Sequence, residues 1–296
     1  MDDAGAVPMD HDARVAADED FLGLREVGSG RFTFEVSSRL ARADERLYGG
    51  AAVALSVAAA AAETGRDALW CTTQFVSTAM LGSTVDLQVE VLAAGRRTSQ
   101  VRVTATTDDG VVFASLGACG VLKPDGLAGT FEERPEVSPP GEGALGFQPS
   151  GRDGESGWHT AVEVRTAEIR RHPDPGPGRV CLWLRRSDGG PVTPALAGYL
   201  ADLVPLSIVR GCGVTGAGTS LDNTIRIGAA AETEWILLDL RPNLAVGSYG
   251  HGIANVWTED GHLLAVASQT ASLMELDFDP LTAFGSHASE LQERNR

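Results

Sequence analysis

Asp202 is the side chain in this sequence whose setting most calls for a chemical explanation. It lies in PALAGYLADLVPL, Pro194 to Leu206, where every other residue is apolar or small. A carboxylate withdrawn from water is held by a partner or kept for a task. The task open to a partly desolvated carboxylate, with its pKa raised, is that of a general base near neutral pH. The stretch reads as a helix in which Thr193 caps the start, Pro194 fits the first turn and Pro205 ends the run. At about 100° per residue, Leu196, Tyr199, Leu200, Leu203 and Val204 share one face. Asp202 lies off that face, and Ala195 and Gly198 leave room beside it for another chain, a ligand or water. Taken alone, such an aspartate is more often solvated or salt-bridged, so a catalytic reading needs companions.

Other chemistries are poorly supplied. GCGVTG, residues 211–216, fits G-x-G-x-x-G, but it follows a helix and precedes a strand, the reverse of the dinucleotide-binding context. No G-x-S-x-G occurs, which argues against a nucleophile-elbow hydrolase. The histidines at 11, 159, 172, 251, 262 and 287 have no ligand spacing, and no metal is expected. Cys71, Cys119, Cys181 and Cys212 are scattered without a C-x-x-C pair and read as reduced thiols of a cytoplasmic protein. With 24 basic against 40 acidic residues and a net charge of -16, general electrostatics exclude a nucleic-acid partner. The opening MDDAGAVPMDHDARVAADEDF has no apolar core of a signal peptide. The alanine-rich run near residue 55 is too weakly hydrophobic to insert in a membrane and stops at Glu63.

The elements that must position Asp202 occur twice. YGGAAVALSVAAAAAET is a helix candidate, apolar almost all round, as a helix enclosed by a sheet should be. Strand candidates follow it: LWCTTQFVS, TVDLQVEVLAAG and a hairpin turning at Asp109-Gly110. Later come HTAVEVRT and RVCLWLRR, the Asp202 helix, TSLDNTIRI, TEWILLDLRP and a second hairpin turning at Asp260-Gly261. The two Asp-Gly turns are 151 residues apart, and the flanking strands match in length and alternation. Between the halves lies a Gly-, Pro- and acid-rich stretch that reads as a linker. The expected plan is α+β: two copies of an antiparallel sheet wrapped around a central helix, paired as a pseudo-dimer. The boundaries are an acidic N-terminal tail at 1–20, a first domain at 21–123, a linker at 124–158, a second domain at 159–276 and a C-terminal tail at 277–296.

In order and spacing, RLYGGAAVALSVAAAAAET, LAGYLADLVPL, TSLDNTIRI, EWILLDL and TEDGHLLAVASQTASLM resemble the acyl-CoA thioesterase II family, whose members fuse two hotdog domains in one chain. The resemblance runs from about Phe21 to Met274, the linker and tails excepted. It implies hydrolysis of an acyl-CoA thioester to a carboxylic acid and coenzyme A, without a cofactor. In that family an Asp, a Ser or Thr and a Gln activate the hydrolytic water. Carried over by position, these are Asp202, Ser220 and Gln269. Asp202 would then serve as base, Ser220 and Gln269 would hold the water, and helix N-terminal amides would polarise the carbonyl, with Gly49 and Gly50 permitting close approach. Asp222, two residues after Ser220, competes with Asp202 for the role of base.

The repeat supplies an internal control. An offset of 151 sets Ala118 against Gln269; the helices laid together set Ser56 or Val57 against Asp202, and Trp70 or Cys71 falls against Ser220. None is a carboxylate or an amide, so one active centre per chain is expected, at the seam between the halves. Arg165, Arg170, Arg171, Arg185 and Arg186 concentrate positive charge and offer contacts for the phosphates of coenzyme A, although a solvated strand edge accounts for most of them. Expected partners are the acyl-CoA substrate and further copies of the chain in a homo-oligomer of double-hotdog chains, with no nucleic acid and no membrane insertion. The alternative is an acyl-CoA-binding scaffold of the same fold with little turnover. A hydratase would want a paired His and Asp, which neither helix supplies.

Overall fold

A computed structural model describes residues 9–123, 125–142, 145–146, 157–171, 177–228 and 232–277. In chain order the elements are α1 (His11–Leu22), β1 (Arg25–Gly28), β2 (Arg31–Glu35), α2 (Gly49–Thr64), β3 (Asp67–Phe75), β4 (Thr84–Ala94), β5 (Thr98–Thr107), β6 (Gly110–Gly120), β7 (Glu136–Val137), β8 (Leu145–Gly146), β9 (Val162–Thr166), β10 (Ile169–Arg171) and β11 (Val180–Arg186). They continue with α3 (Pro194–Leu200), α4 (Val204–Gly211), β12 (Gly216–Ile227), β13 (Ile236–Val246), β14 (Tyr249–Thr258) and β15 (Leu263–Glu275). Among the described residues no helix is long and apolar enough to cross a membrane.

Thirteen strands form one sheet in the order β1-β2-β4-β5-β6-β3-β12-β15-β14-β13-β11-β9-β8, while β7 and β10 pair separately. The order mirrors itself about the antiparallel join of β3 with β12, where Thr72 faces Thr224 and their hydroxyls bond at 2.9 Å. This is the expected α+β plan of two tandem hotdog units. Residues 50–60 of α2 are all buried. Its alanines let the sheet approach closely, and β4 and β5 alternate so that Val85, Leu87, Val89, Val101, Val103 and Ala105 point inward. In the second half the alternation breaks down: Ile236 to Leu240 are all buried. There the outer face is covered too, by Trp183, Trp235 and Trp257. Linker residues seal it, Ser138 O accepting from Trp183 Nε1 at 2.8 Å and the Arg134 guanidinium lying over the Trp183 ring.

The strand registers give the repeat offset directly. Thr72 opposes Leu116 in β6 and Thr224 opposes Ser268 in β15, so both members of the pair are 152 residues apart. Each central strand carries a bulge at the same place, between Ala68 and Trp70 and between Ser220 and Asp222. The Asp-Gly turns misplace the alignment by one because β5 and β6 close tightly at Thr107 opposite Gly110, while residues 259–262 intervene between β14 and β15. The counterpart of Gln269 is therefore Gly117 rather than Ala118, and that of Ser220 is Ala68 rather than Trp70 or Cys71.

Two further expectations are corrected. The acidic segment expected as a tail forms α1 from His11, capped by Asp10, whose carboxylate accepts from Ala13 N at 2.8 Å. The helix expected to run to Pro205 is two helices. Thr193 caps α3 as expected, accepting from Leu196 N at 3.0 Å. Pro205, however, lies in the first turn of α4, where its missing N–H costs nothing. The expected C-terminal tail beyond residue 277 and linker residues 147–156 lie outside the described residues.

Candidate active site

Asp202 occupies the turn between α3 and α4. It is buried, and its environment is built by three elements. The first is β12. With simple alternation Ser220 and Asp222 would share a face and Asn223 would point away. The bulge after Ser220 reverses this, so that Ser220 and Asn223 both reach the carboxylate: Asn223 Nδ2 donates to Asp202 Oδ1 at 3.0 Å, and Ser220 Oγ stands at 3.4 Å from it. Asp222 is turned away and accepts from Thr270 N at 3.1 Å, tying down the bulge. Of the two aspartates, Asp202 is the one that Ser220, Asn223 and Gln269 contact.

The second element is β15, where Gln269 lies directly opposite Asn223. Its Nε2 donates to Asp202 Oδ1 at 2.5 Å and to Ser220 Oγ at 2.6 Å. The third is the N-terminus of α2, from the other half of the chain. The Gly50 amide faces Asp202 and favours its ionised form, and a Cβ at Gly49 would stand 2.5 Å from Asp202 Oδ2. A glycine is needed there because of close approach alone. Asp202, Ser220 and Gln269 are therefore brought together, and the group missed in the sequence is Asn223; Gly50, expected to approach a substrate carbonyl, faces Asp202 instead. The register signal for Asn223 lay in the bulge, which alternation does not reveal.

Burial pushes the Asp202 carboxyl up to about 6, against the opposing pull of Asn223, the Gly50 amide, Ser220 and the Arg42 guanidinium. A group so poised is half ionised just below neutrality. Asp202 and Ser220 open onto a cavity of about 430 Å³ lined from both halves, with Leu47, Phe75, Phe113, Trp158, Leu206 and Met274 among its apolar walls. Asn223 and Gln269 stand behind the carboxylate, fully buried.

The 152-residue counterpart lacks this constellation. Cys71 stands for Asn223, Gly117 for Gln269 and Ala68 for Ser220, around a cavity of only about 10 Å³. Of the arginines singled out in the sequence, Arg165, Arg170, Arg185 and Arg186 do not line the large cavity. Arg165 and Arg185 pair with Glu163, Arg170 with Glu142 and Arg186 with Asp188; the side chain of Arg171 lies outside the described residues. Among the described residues the cations that line the cavity are Arg42, paired with Asp44 at 2.6 Å, and Arg46.

Comparison with known proteins decides the family. A model of the acyl-CoA thioesterase N-terminal domain matches residues 36–120, and one of the C-terminal domain matches residues 133–273. A solved structure from Novosphingobium aromaticivorans, provisionally described as a thioesterase, is 33% identical over 85% of this chain and 98% of its own, with a TM-score of 0.76. The chain belongs to the acyl-CoA thioesterase family. As a member of that family it is a thioester hydrolase. A hotdog-fold protein of unknown function from Alicyclobacillus acidocaldarius is 20% identical over 88% of this chain and 98% of its own, TM-score 0.74. The acyl-CoA thioesterase II TesB2 of Mycobacterium marinum is 19% identical over 88% of this chain and 99% of its own, TM-score 0.67. These two share the fold. No curated protein matches the chain.

Proposed function

We propose that the chain hydrolyses acyl-CoA thioesters at the seam cavity, through a water activated by Asp202, Ser220 and Gln269. The observation that carries this reading is the bond pattern of Gln269, whose one amide nitrogen holds both the Asp202 carboxylate and the Ser220 hydroxyl. Two groups that open onto the cavity are thereby fixed side by side, as a water-holding pair requires.

In the reaction Asp202 takes a proton from the water as its oxygen bonds to the thioester carbon. Ser220 holds that water, and the N-terminal turn of α2, whose first amides have no intrahelical partner, faces the developing oxyanion. Collapse of the tetrahedral intermediate breaks the C–S bond. The proton on Asp202 passes to the departing thiolate, leaving a carboxylic acid and coenzyme A. The apolar walls receive the acyl chain; Arg42, which also lines the cavity, is held by the Asp44 carboxylate beside it at 2.6 Å, so that pair brings no net charge to the coenzyme.

The test is thiol release from a panel of acyl-CoAs. Asp202→Asn keeps the shape and removes the base, and the expected loss in kcat is on the order of 10²–10⁴-fold, the span of general-base catalysis. In the wild type kcat/KM should rise with pH through about 6, where Asp202 ionises. Equal thiol release by wild type and variant would sink the assignment. Tight acyl-CoA binding without turnover across the panel would point instead to the scaffold.

A further inference from the structure

We infer that the open edge of β12, from Ala217 to Leu221, binds the pantetheine arm of coenzyme A in the manner of an added strand, its backbone pairing with the two amides of the arm. This rests on the reading of the seam cavity as the hydrolytic site. It gives a place to the part of the substrate that Asp202 and the apolar walls leave without one.

β12 is a central strand over only part of its length. Residues 222–226 pair with β3 on one side and β15 on the other, whereas 217–220 pair with β15 alone. The cause lies in β3, which leaves β12 after the Asp222–Gln74 pair. Val76 N and Ser77 N both turn to Val112 O, at 2.9 and 3.0 Å, so the chain bends towards β6. Successive residues of a strand aim their N–H and C=O groups to opposite sides. Every second residue of the open stretch therefore aims both at the gap, and among the described residues no backbone group meets them there. Burial follows the same division. Buried and half-buried residues alternate along 222–225, but 217–220 are all half-buried and Leu221 is exposed.

An unpaired edge is normally blunted or covered. In the first half, the 152-residue counterpart is met by α1, whose His11 and Arg14 bond to Asp67. Beside Asp202 the edge is instead a wall of the cavity: residues 217–221 all line it, as do 76–78. The edge also begins where the arm must begin. Ser220, which holds the water in this reading, belongs to it, so a thioester carbon attacked there puts its sulfur beside the strand. The arm carries its first amide two carbons from the sulfur and its second two methylenes further on. Each amide has one donor and one acceptor, the pair that a strand edge offers and lacks a partner for. Ala217 and Gly218 have no long side chain to fold across the approach.

The experiment compares an acyl-CoA with its analogue in which both arm amides are esters, which keeps the length of the arm and removes both N–H donors. The expected result is a fall in kcat/KM of at least about fivefold, as two lost hydrogen bonds of ordinary strength require. Amide hydrogen exchange then locates the contact. The S-hexyl thioether of coenzyme A, which cannot be hydrolysed, should slow exchange within 217–221, and its di-ester analogue should slow it less. Equal kcat/KM for the two arms overturns the inference. So does a fall in kcat/KM with no slowing within 217–221, since the amides are then bonded elsewhere. Asp202→Asn, assayed with the ordinary acyl-CoA, separates the two claims. If that variant is inactive while the wild type turns over both arms alike, only the role of the β12 edge fails; if it releases thiol as the wild type does, the hydrolytic site itself is misplaced.

Discussion

Asn223 shows how a side chain that never meets the cavity can set the chemistry of one that does. Its amide donates to Asp202 Oδ1 at 3.0 Å, a bond that favours the ionised carboxylate and opposes the burial pushing its pKa up. Asn223→Leu, similar in size and unable to donate, should move the rising limb of kcat/KM above about 6 and lower activity at neutral pH severalfold. A pH profile checks this. A limb left at its wild-type position would mean that Asn223 has no hold on the carboxylate. Asn223 was not legible in the sequence, whereas Asp202 was, because an acidic residue within an apolar stretch stands out without any knowledge of pairing. Ser220 and Gln269 are ordinary strand residues on their own and became legible only through the resemblance. Asn223 and Asp222 exchange faces at a bulge, and no pattern of residue types in TSLDNTIRI distinguishes a bulged strand from a regular one.

At the scale of elements, the site depends on the meeting of a helix terminus from one half with a turn from the other. Gly49 is the contact. Its φ is not in the left-handed region, so alanine suits the backbone and should favour the helix slightly. An alanine Cβ would nevertheless stand 2.5 Å from Asp202 Oδ2 and 3.2 Å from the ring of Phe75. Gly49→Ala should therefore leave the thermal midpoint within a few degrees of wild type while displacing the carboxylate. A misplacement of about 1 Å costs about 10²-fold in rate, and steady-state kinetics beside a melting curve would reveal the split. A variant with wild-type kcat would mean that the carboxylate has room to give. The central helix of the first half, the long strands of both halves and the two hairpins were legible from periodicity and Asp-Gly turns, whereas α1, β1 and β2 were not. The break between α3 and α4 was not, since Pro205 permits both the end of one helix and the first turn of the next.

For the whole molecule, the question is why a twofold plan leaves a cavity of about 430 Å³ at the Asp202 site and one of about 10 Å³ at its counterpart, and α1 supplies part of the reason. It spans both halves. At one end His11 and Arg14 meet Asp67 at 2.9 and 2.7 Å; at the other Asp18 accepts from the hydroxyl of Thr193, the cap of α3. Asp67 is the 152-residue counterpart of Thr219 in the cavity wall, and Thr193 caps α3 as Tyr48 heads α2. The helix thus lies across the place where a second mouth would open. Its hold depends on pH. Burial pushes Asp18 up to about 7, opposed by the Thr193 bond, Arg186 and Arg14, with Glu19 adding to the rise. Because the folded-state value lies above the ordinary 3.8, the folded protein retains a proton that the unfolded chain has released. The contribution of Asp18 is complete below pH 3.8 and is lost progressively as pH rises to about 7, after which it is flat. Asp18→Asn, which cannot ionise, should leave stability near wild type at pH 4 and raise it at pH 8 by on the order of 1–3 kcal/mol. Since Asp202 titrates alike in both proteins, the difference between their melting curves isolates Asp18. Hydrogen exchange should place the gain in the α1 amides. An equal effect of the substitution at pH 4 and pH 8 would mean that α1 is held by its ion pairs with Asp67 and by Phe21 against Tyr199, with no part for the proton on Asp18.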